Sequence, residues 1–312
     1  MTGEAHGSRP TGPLAPSIDH GWFGFAPLPA RPALHWPGHA AVAVAVVLDL
    51  RAVEWERPEH QIPVSPPGGR GRGPYPDFPR MSHREFGHRV GVFRLLSIMA
   101  SLGIRPAVAV DVLTVEHYGA LMTHLRPATS EFIAGGLSAS RPITSSMSEI
   151  EERHYIDLTM ERLAAGLGKR PHGWLGPEFG ESTRTPQLLA AAGLEYLADW
   201  GNDELPYPMT GAGSRIWSLP LSWELSDVSA VFLRGVSPED YGRSLVEAFE
   251  VLHADSAASG RLLALHLHPW VSGQAFRADA LETALRRIRR AADTWWASPG
   301  EIVDWCRQQR SA

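Results

Sequence analysis

Residues 264–269 read Ala-Leu-His-Leu-His-Pro, an apolar run that ends in two imidazoles, His266 and His268. Alternation along a strand puts both on one face. An imidazole near neutral pH can take or give a proton, orient a substrate or hold a metal, so a strand that closes on His268 reads as the floor of a pocket. Other polar residues fall where apolar runs stop: Asp49, Asp111, Glu178, Asp199 with Trp200, and Glu224 with Asp227. Carboxylates crowded in a partly closed pocket rise in pKa and can act as acids or bases near neutrality. Arg51 or Arg141 could steady an oxyanion, while Trp200 and Asp203 could shape the pocket wall. Each residue also has an ordinary reading. His268 can cap its strand and His266 can be structural. Asp199, Asn202 and Asp203 can bond their own backbone in the turn-rich run before Pro206, Trp200 can plug a rim, and isolated carboxylates such as Glu224 and Asp227 are common on surfaces.

Short β-rich runs alternating with amphipathic stretches position these residues. Strands are expected at residues 41–50, 105–111, 131–134, 172–175, 194–198, 216–219 and 262–268. Helices are expected at 86–102, 116–124, 148–167, 185–192, 238–254, 279–292 and 299–309, the third opening on Ser148-Glu-Ile-Glu151, a capping-box pattern. The first strand is apolar on both faces, as a buried parallel strand should be. This order predicts an α/β fold, a distorted (β/α) TIM-like barrel of about seven parallel strands, over an open doubly wound sheet. In a barrel the polar residues at the C-terminal strand ends share one mouth. Adjacent Trp295 and Trp296 cannot share a strand face and read as packing, one in the barrel's bottom and one over the C-terminal helix.

Length and composition bound the rest. The 312 residues fit one large barrel. A formal charge of −5 carries no basic excess for a nucleic-acid partner, and the lone Cys306 excludes an intrachain disulfide and a cysteine-rich metal site. No signal-like start and no apolar run of about 18 residues occurs, so no membrane association and a cytoplasmic location are expected. Residues 1–37 are rich in Gly, Pro and Ser and read as a flexible arm, leaving 38–312 as the barrel domain. Residues 62–79 form a long Gly/Pro loop, a candidate lid, whose Gly-Gly-Arg-Gly-Arg-Gly run lacks the strand, helix and lysine of a phosphate loop. The arginines at 286, 287, 289 and 290 read as a solvated face. No Gly-x-Ser-x-Gly elbow is present.

Several motifs in order carry a resemblance: Arg89-Val-Gly-Val-Phe-Arg-Leu-Leu96, Arg170-Pro-His-Gly-Trp-Leu-Gly-Pro177, Thr185-Pro-Gln-Leu-Leu189, Ala192-Gly-Leu-Glu-Tyr196, Asp199-Trp-Gly-Asn-Asp-Glu-Leu-Pro-Tyr-Pro208 and Leu265-His-Leu-His-Pro269. Together they resemble the polysaccharide deacetylase superfamily with its NodB-homology domain, and its allantoinase-like branch in particular, over about residues 31–307. The resemblance implies a distorted barrel and hydrolysis of non-peptide C–N bonds, in acetamido sugars or cyclic amides.

The departures bear on mechanism. Metal-dependent members carry an aspartate after the first strand and two histidines four residues apart after the third. Here the third-strand region reads Gly135-Gly136-Leu137-Ser138-Ala139, without histidine, and Arg51 follows Asp49 where a second carboxylate is usual. The arginine of the fourth-strand loop is also missing, with Glu178 present instead. One carboxylate is too weak a site for a metal, so no metal and no cofactor are expected. The allantoinase-like branch implies metal-free action on cyclic amides, although its members generally keep a histidine at the position of Gly135. The resulting expectation is a hydrolase of a small cyclic amide or acylated amine. In it His268 orients or protonates the substrate, Asp49 or Glu178 is the base, and Arg51, Arg141, Trp200, Asp203, Glu224, Asp227 and His266 are candidates to touch substrate. The alternative is a catalytically inactive relative that binds a small ligand or partner. A homo-oligomer is compatible with either, by analogy with the branch. A metal held by Asp49, His266, His268 and Glu178 is a third arrangement, outside the family pattern.

Overall fold

The computed structural model describes residues 21–55, 78–210 and 216–311. The expected lid falls almost wholly outside these, as do the first 20 residues of the expected arm.

Among the described residues nine strands make one sheet. They are β1 (Val42–Asp49), β2 (Ala107–Val110), β3 (Glu131–Ala134), β4 (Gly173–Trp174), β5 (Tyr196–Leu197), β6 (Tyr207–Pro208), β7 (Trp217–Ser218), β8 (Arg261–Leu267) and β9 (Thr294–Trp296). The order is β6-β7-β5-β4-β3-β2-β1-β8, with β9 beside β1. The seven strands expected from sequence are β1 to β5, β7 and β8, all parallel. The sheet gains β6 as an antiparallel edge and β9 against the start of β1. Neither extra strand sits in a longer β-rich run. Among the described residues the path ends at β6 and at β8 without the two joining, an open half-barrel.

β1 explains why the interior ends in chemistry. All eight of its residues are buried. Val42, Val44, Val46 and Leu48 pack outward on the helices, whereas Ala43, Ala45 and Val47 join Ala109, Ile133, Leu262 and Ala264 in a separate inner core. β8 runs parallel to β1 along its length, with Val47 opposite His266. Period-two alternation carries the inner stripe of β1 to Asp49 and that of β8 to His266 and His268. The same parity carries β2 to Asp111 and β3 to Gly135. Small inward alanines let the strands curve tightly, and the stripes converge where they turn polar.

The helices are α1 (Phe78–Phe86), α2 (Val92–Ser101), α3 (Val112–His117), α4 (Gly119–Ala128), α5 (Glu149–Leu167), α6 (Thr185–Ala191), α7 (Pro238–Ala254), α8 (Pro269–Ser272), α9 (Ala275–Arg289) and α10 (Pro299–Ser311). α5 starts on the expected reciprocal cap between Ser148 and Glu151. The single helix expected over 116–124 is two, because Asp111 caps α3 early through the Thr114 N–H and the chain breaks at Tyr118. α1 runs into α2 through a π-helical stretch, Gly87–Gly91. That stretch lies against α8: a Cβ on Gly91 would stand 2.0 Å from the Pro269 carbonyl oxygen, and one on Gly87 2.9 Å from the Trp270 nitrogen. The Arg89-to-Leu96 motif therefore clamps the turn that follows His268. Trp295 stacks on Trp36 and on Trp305 of α10, while Trp296 packs against the outer core, so the two tryptophans divide as alternation requires.

Candidate active site

Asp49, at the end of β1, is the centre of a charged cluster. Its carboxylate takes Arg51 Nε on Oδ1 at 2.8 Å and Arg51 Nη2 on Oδ2, while Arg51 Nη1 donates to the Leu175 carbonyl at 3.0 Å. His266 Nε2 lies 3.2 Å and His268 Nε2 3.4 Å from Asp49 Oδ2. Asp227 accepts from the backbone N–H of His268 and pairs with its Nδ1, both at 2.8 Å, and accepts from the Ser272 hydroxyl at 2.6 Å. His268 thus stands between two carboxylates, with Nδ1 fixed by one and Nε2 aimed toward the other.

Burial and charge set the protonation states. Burial opposes the charge on Asp49, but Arg51, His266 and His268 together outweigh it and hold the carboxyl well below the usual carboxylate range. Burial likewise works against charged His268, yet Asp227 and then Asp49 raise its imidazole to about 9. Burial and the neighbouring His268 depress His266 despite Asp49. At neutral pH the pair therefore holds one imidazolium, His268, and one neutral ring, His266.

These groups line a pocket of about 200 Å³ with Arg51, Arg84, Glu178, Phe232 and Trp270. Arg84, from α1, lies over the Trp270 ring at 5.3 Å and 3.7 Å from Glu178. Burial lowers its pKa. Glu178 sits on the rim with its side chain 45% exposed. Glu178 and Phe179 both have φ of +54°, a left-handed conformation that costs an L-residue about 1–2 kcal/mol. Phe179 packs on His266 and Trp223, and this holds the strained turn against the pocket. Glu152 of α5, fully buried, accepts from the hydroxyls of Ser182 and Thr185 and so ties down the segment that follows.

The remaining sequence candidates lie elsewhere. Asp227, read as a substrate contact, is wholly buried and touches His268 and Ser272 instead. Glu224 does not form a pair with it. Its side chain is 81% exposed and holds Arg234. Arg141 forks onto Glu54, and Asp203 takes Arg31 on both oxygens at 2.8 and 2.6 Å. Trp200 lines a neighbouring hollow and donates to Glu181 at 2.9 Å. There burial pushes the Asp199 carboxyl up to about 7, and burial together with Asp199 pushes Glu181 well up. Arg84, Phe179 and Glu181 escaped the sequence reading: Arg84 lies on α1, which starts before the helix expected from residue 86, and the other two lie in the turn after β4.

Asp49, His266 and His268 offer three donor atoms within 4.8 Å of one another, enough to suggest a divalent cation. The site as built does not fit one. Both oxygens of its single carboxylate accept from a guanidinium, and His268 carries a proton at neutral pH. Glu178, the fourth donor of the arrangement outside the family pattern, does not join the cluster.

No family model matches the chain. A peptidoglycan deacetylase of Helicobacter pylori is 23% identical over 251 residues, which are 70% of this chain and 84% of that protein. A probable polysaccharide deacetylase from Pseudomonas aeruginosa superposes with a TM-score of 0.81 at 22% identity, over 90% of this chain and 96% of its own. Puue allantoinase superposes at 0.80, also at 22% identity, over 90% and 95%. An open half-barrel of parallel strands, with Asp49 and His268 at its mouth, and this agreement along nearly the whole chain show a shared fold: the chain has the architecture of these deacetylase and allantoinase structures.

Proposed function

We propose that the protein is a polysaccharide deacetylase-like hydrolase that cleaves the C–N bond of a small cyclic amide or acylated amine, with water attacking in the absence of a divalent ion. The observation that carries this reading is His268, held as an imidazolium by Asp227 and turned toward the pocket floor. Amide hydrolysis needs a donor for the leaving nitrogen, a base for water and a cation near the oxyanion. His268 supplies the first. Arg51 and Arg84 line the same cavity and supply positive charge for the third. Between the two carboxylates expected as base, Asp49 is committed to Arg51 and poorly basic, so Glu178 on the rim takes the water's proton. A cavity of about 200 Å³ among the described residues is smaller than the roughly 300–1,000 Å³ of pockets for larger ligands and suits a small ring better than a glycan chain.

The test is a turnover screen of chelator-treated protein on cyclic ureides, cyclic imides and N-acetylated sugars. Activity on a cyclic amide is expected to fall by about 10²–10⁴-fold in His268→Ala, the usual worth of a positioned acid. Unchanged turnover in that variant sinks the assignment. The engagement of both Asp49 oxygens by Arg51 favours a second reading, a silent relative that binds a small ligand. Silence on every substrate class, repeated with zinc added, selects it.

A further inference from the structure

The Arg51 side chain is 8% exposed, and each of its three nitrogens has a partner: Nε and Nη2 on Asp49, Nη1 on the Leu175 carbonyl. Its stem reaches that position across Gly135. A Cβ on residue 135 would stand 2.6 Å from Arg51 Cδ, 2.9 Å from Cγ and 3.0 Å from the Val110 carbonyl oxygen, closer than real Cβ atoms tolerate at the first two contacts. No side chain beyond hydrogen fits there while Arg51 holds Asp49. At Oδ2 of the same carboxylate, the ring nitrogens of His266 and His268 complete a three-donor set. One carboxylate and two imidazoles are a sufficient protein ligand set for an open zinc site. The guanidinium occupies the carboxylate of that set.

We infer that Arg51 is a resident cation plugging a latent divalent-metal site made by Asp49, His266 and His268, and that Gly135 is the residue that admits the plug. The inference deepens the metal-free reading of this pocket and rests on it for the claim that the plugged state is the working one. Two changes should expose the site by different routes. Arg51→Gln removes the charge and the fork but keeps most of the stem. Gly135→Ala adds no donor atom, yet its methyl drives the Arg51 stem out of its channel.

The experiment is a zinc titration of chelator-treated wild type, Arg51→Gln and Gly135→Ala at about pH 8, where proton competition at the ligands is weaker. It is read by calorimetry and by retained metal after gel filtration, with near-ultraviolet circular dichroism checking the fold. Wild type is expected to retain no stoichiometric zinc. Arg51→Gln is expected to bind one equivalent on the order of 100-fold more tightly than wild type, a gain lost again when Asp49→Asn is added. Gly135→Ala should show the same gain if it folds, and Arg51→Gln decides the matter if it does not. One tight equivalent in wild type, lost in Asp49→Asn, overturns both the plug and the metal-free reading. A folded Arg51→Gln that binds no better than wild type overturns the plug alone and leaves the hydrolytic proposal standing.

Discussion

At the scale of single residues, the pocket is governed by which partner each charge has. His268 gains Asp227 on folding and so binds its proton more tightly in the native state than in the unfolded chain, where an imidazole titrates near 6.5. The stabilisation this brings is fully present below about pH 6.5 and is lost as pH rises through about 9. Denaturant melts across that window should show stability falling with pH. Asp227→Asn should flatten the slope, and ring-proton titration by NMR should place His268 lower in that variant. A slope unchanged by the substitution would mean that another group sets it. The activity profile follows from the same state: if His268 delivers the proton to the leaving nitrogen, kcat/KM declines above about pH 9.

At the scale of elements, the turn after β4 is the strained part of the site. Glu178 holds a left-handed backbone that glycine adopts freely, and the turn lies between a rim carboxylate and the Phe179 ring that leans on His266. Glu178→Gly is expected to gain about 0.5–1 kcal/mol of stability while lowering turnover, a trade that urea melts and steady-state kinetics would show together. The start of α5 gives the contrasting case. Its Ser148 cap is exposed and remote from the pocket, so Ser148→Ala should cost about 1 kcal/mol and leave kcat unchanged. The capping box, the strands β1 and β8 and the helix α7 were legible because each is a repeated local pattern. β6 and β9 were not, since their few residues, Tyr207–Pro208 and Thr294–Trp296, sit in no longer β-rich run and form strands only where they pair with β7 and with the start of β1.

At the scale of the whole molecule, residues 21–37 pack on the fold. Trp22 and Phe23 meet the Trp200 ring edge-on, Arg31 forks onto Asp203, and Trp36, only 2% exposed, completes the inner core at the bottom of the half-barrel. Trp200 and Asp203, expected from sequence to shape the pocket, anchor this segment. Trp36→Ala should cost about 3–5 kcal/mol, as large-to-small changes in a packed core do, and calorimetry would register it as a lower Tm. No helix among the described residues is long and apolar enough to cross a membrane.

The sequence by itself determined the run of parallel strands with helical crossovers and where its chemistry begins. Period-two alternation in residues 42–49 and 261–267 forces one inner stripe on each strand to end at Asp49 and at His266 and His268, whatever the loops do. It also showed that the third strand ends in glycine rather than histidine. Only the tertiary structure decided what those residues do to one another. Asp227 meets His268 across 41 positions of chain, and Asp49 meets His266 across 217, so no local pattern records either contact. Arg51 was visible as a charge beside Asp49, but its place in the channel over Gly135 depends on the packing of β2, β3 and the Leu175 carbonyl just after β4 that receives it. Side-chain partnership is fixed by three-dimensional neighbours, and a linear pattern carries only the face on which each residue starts.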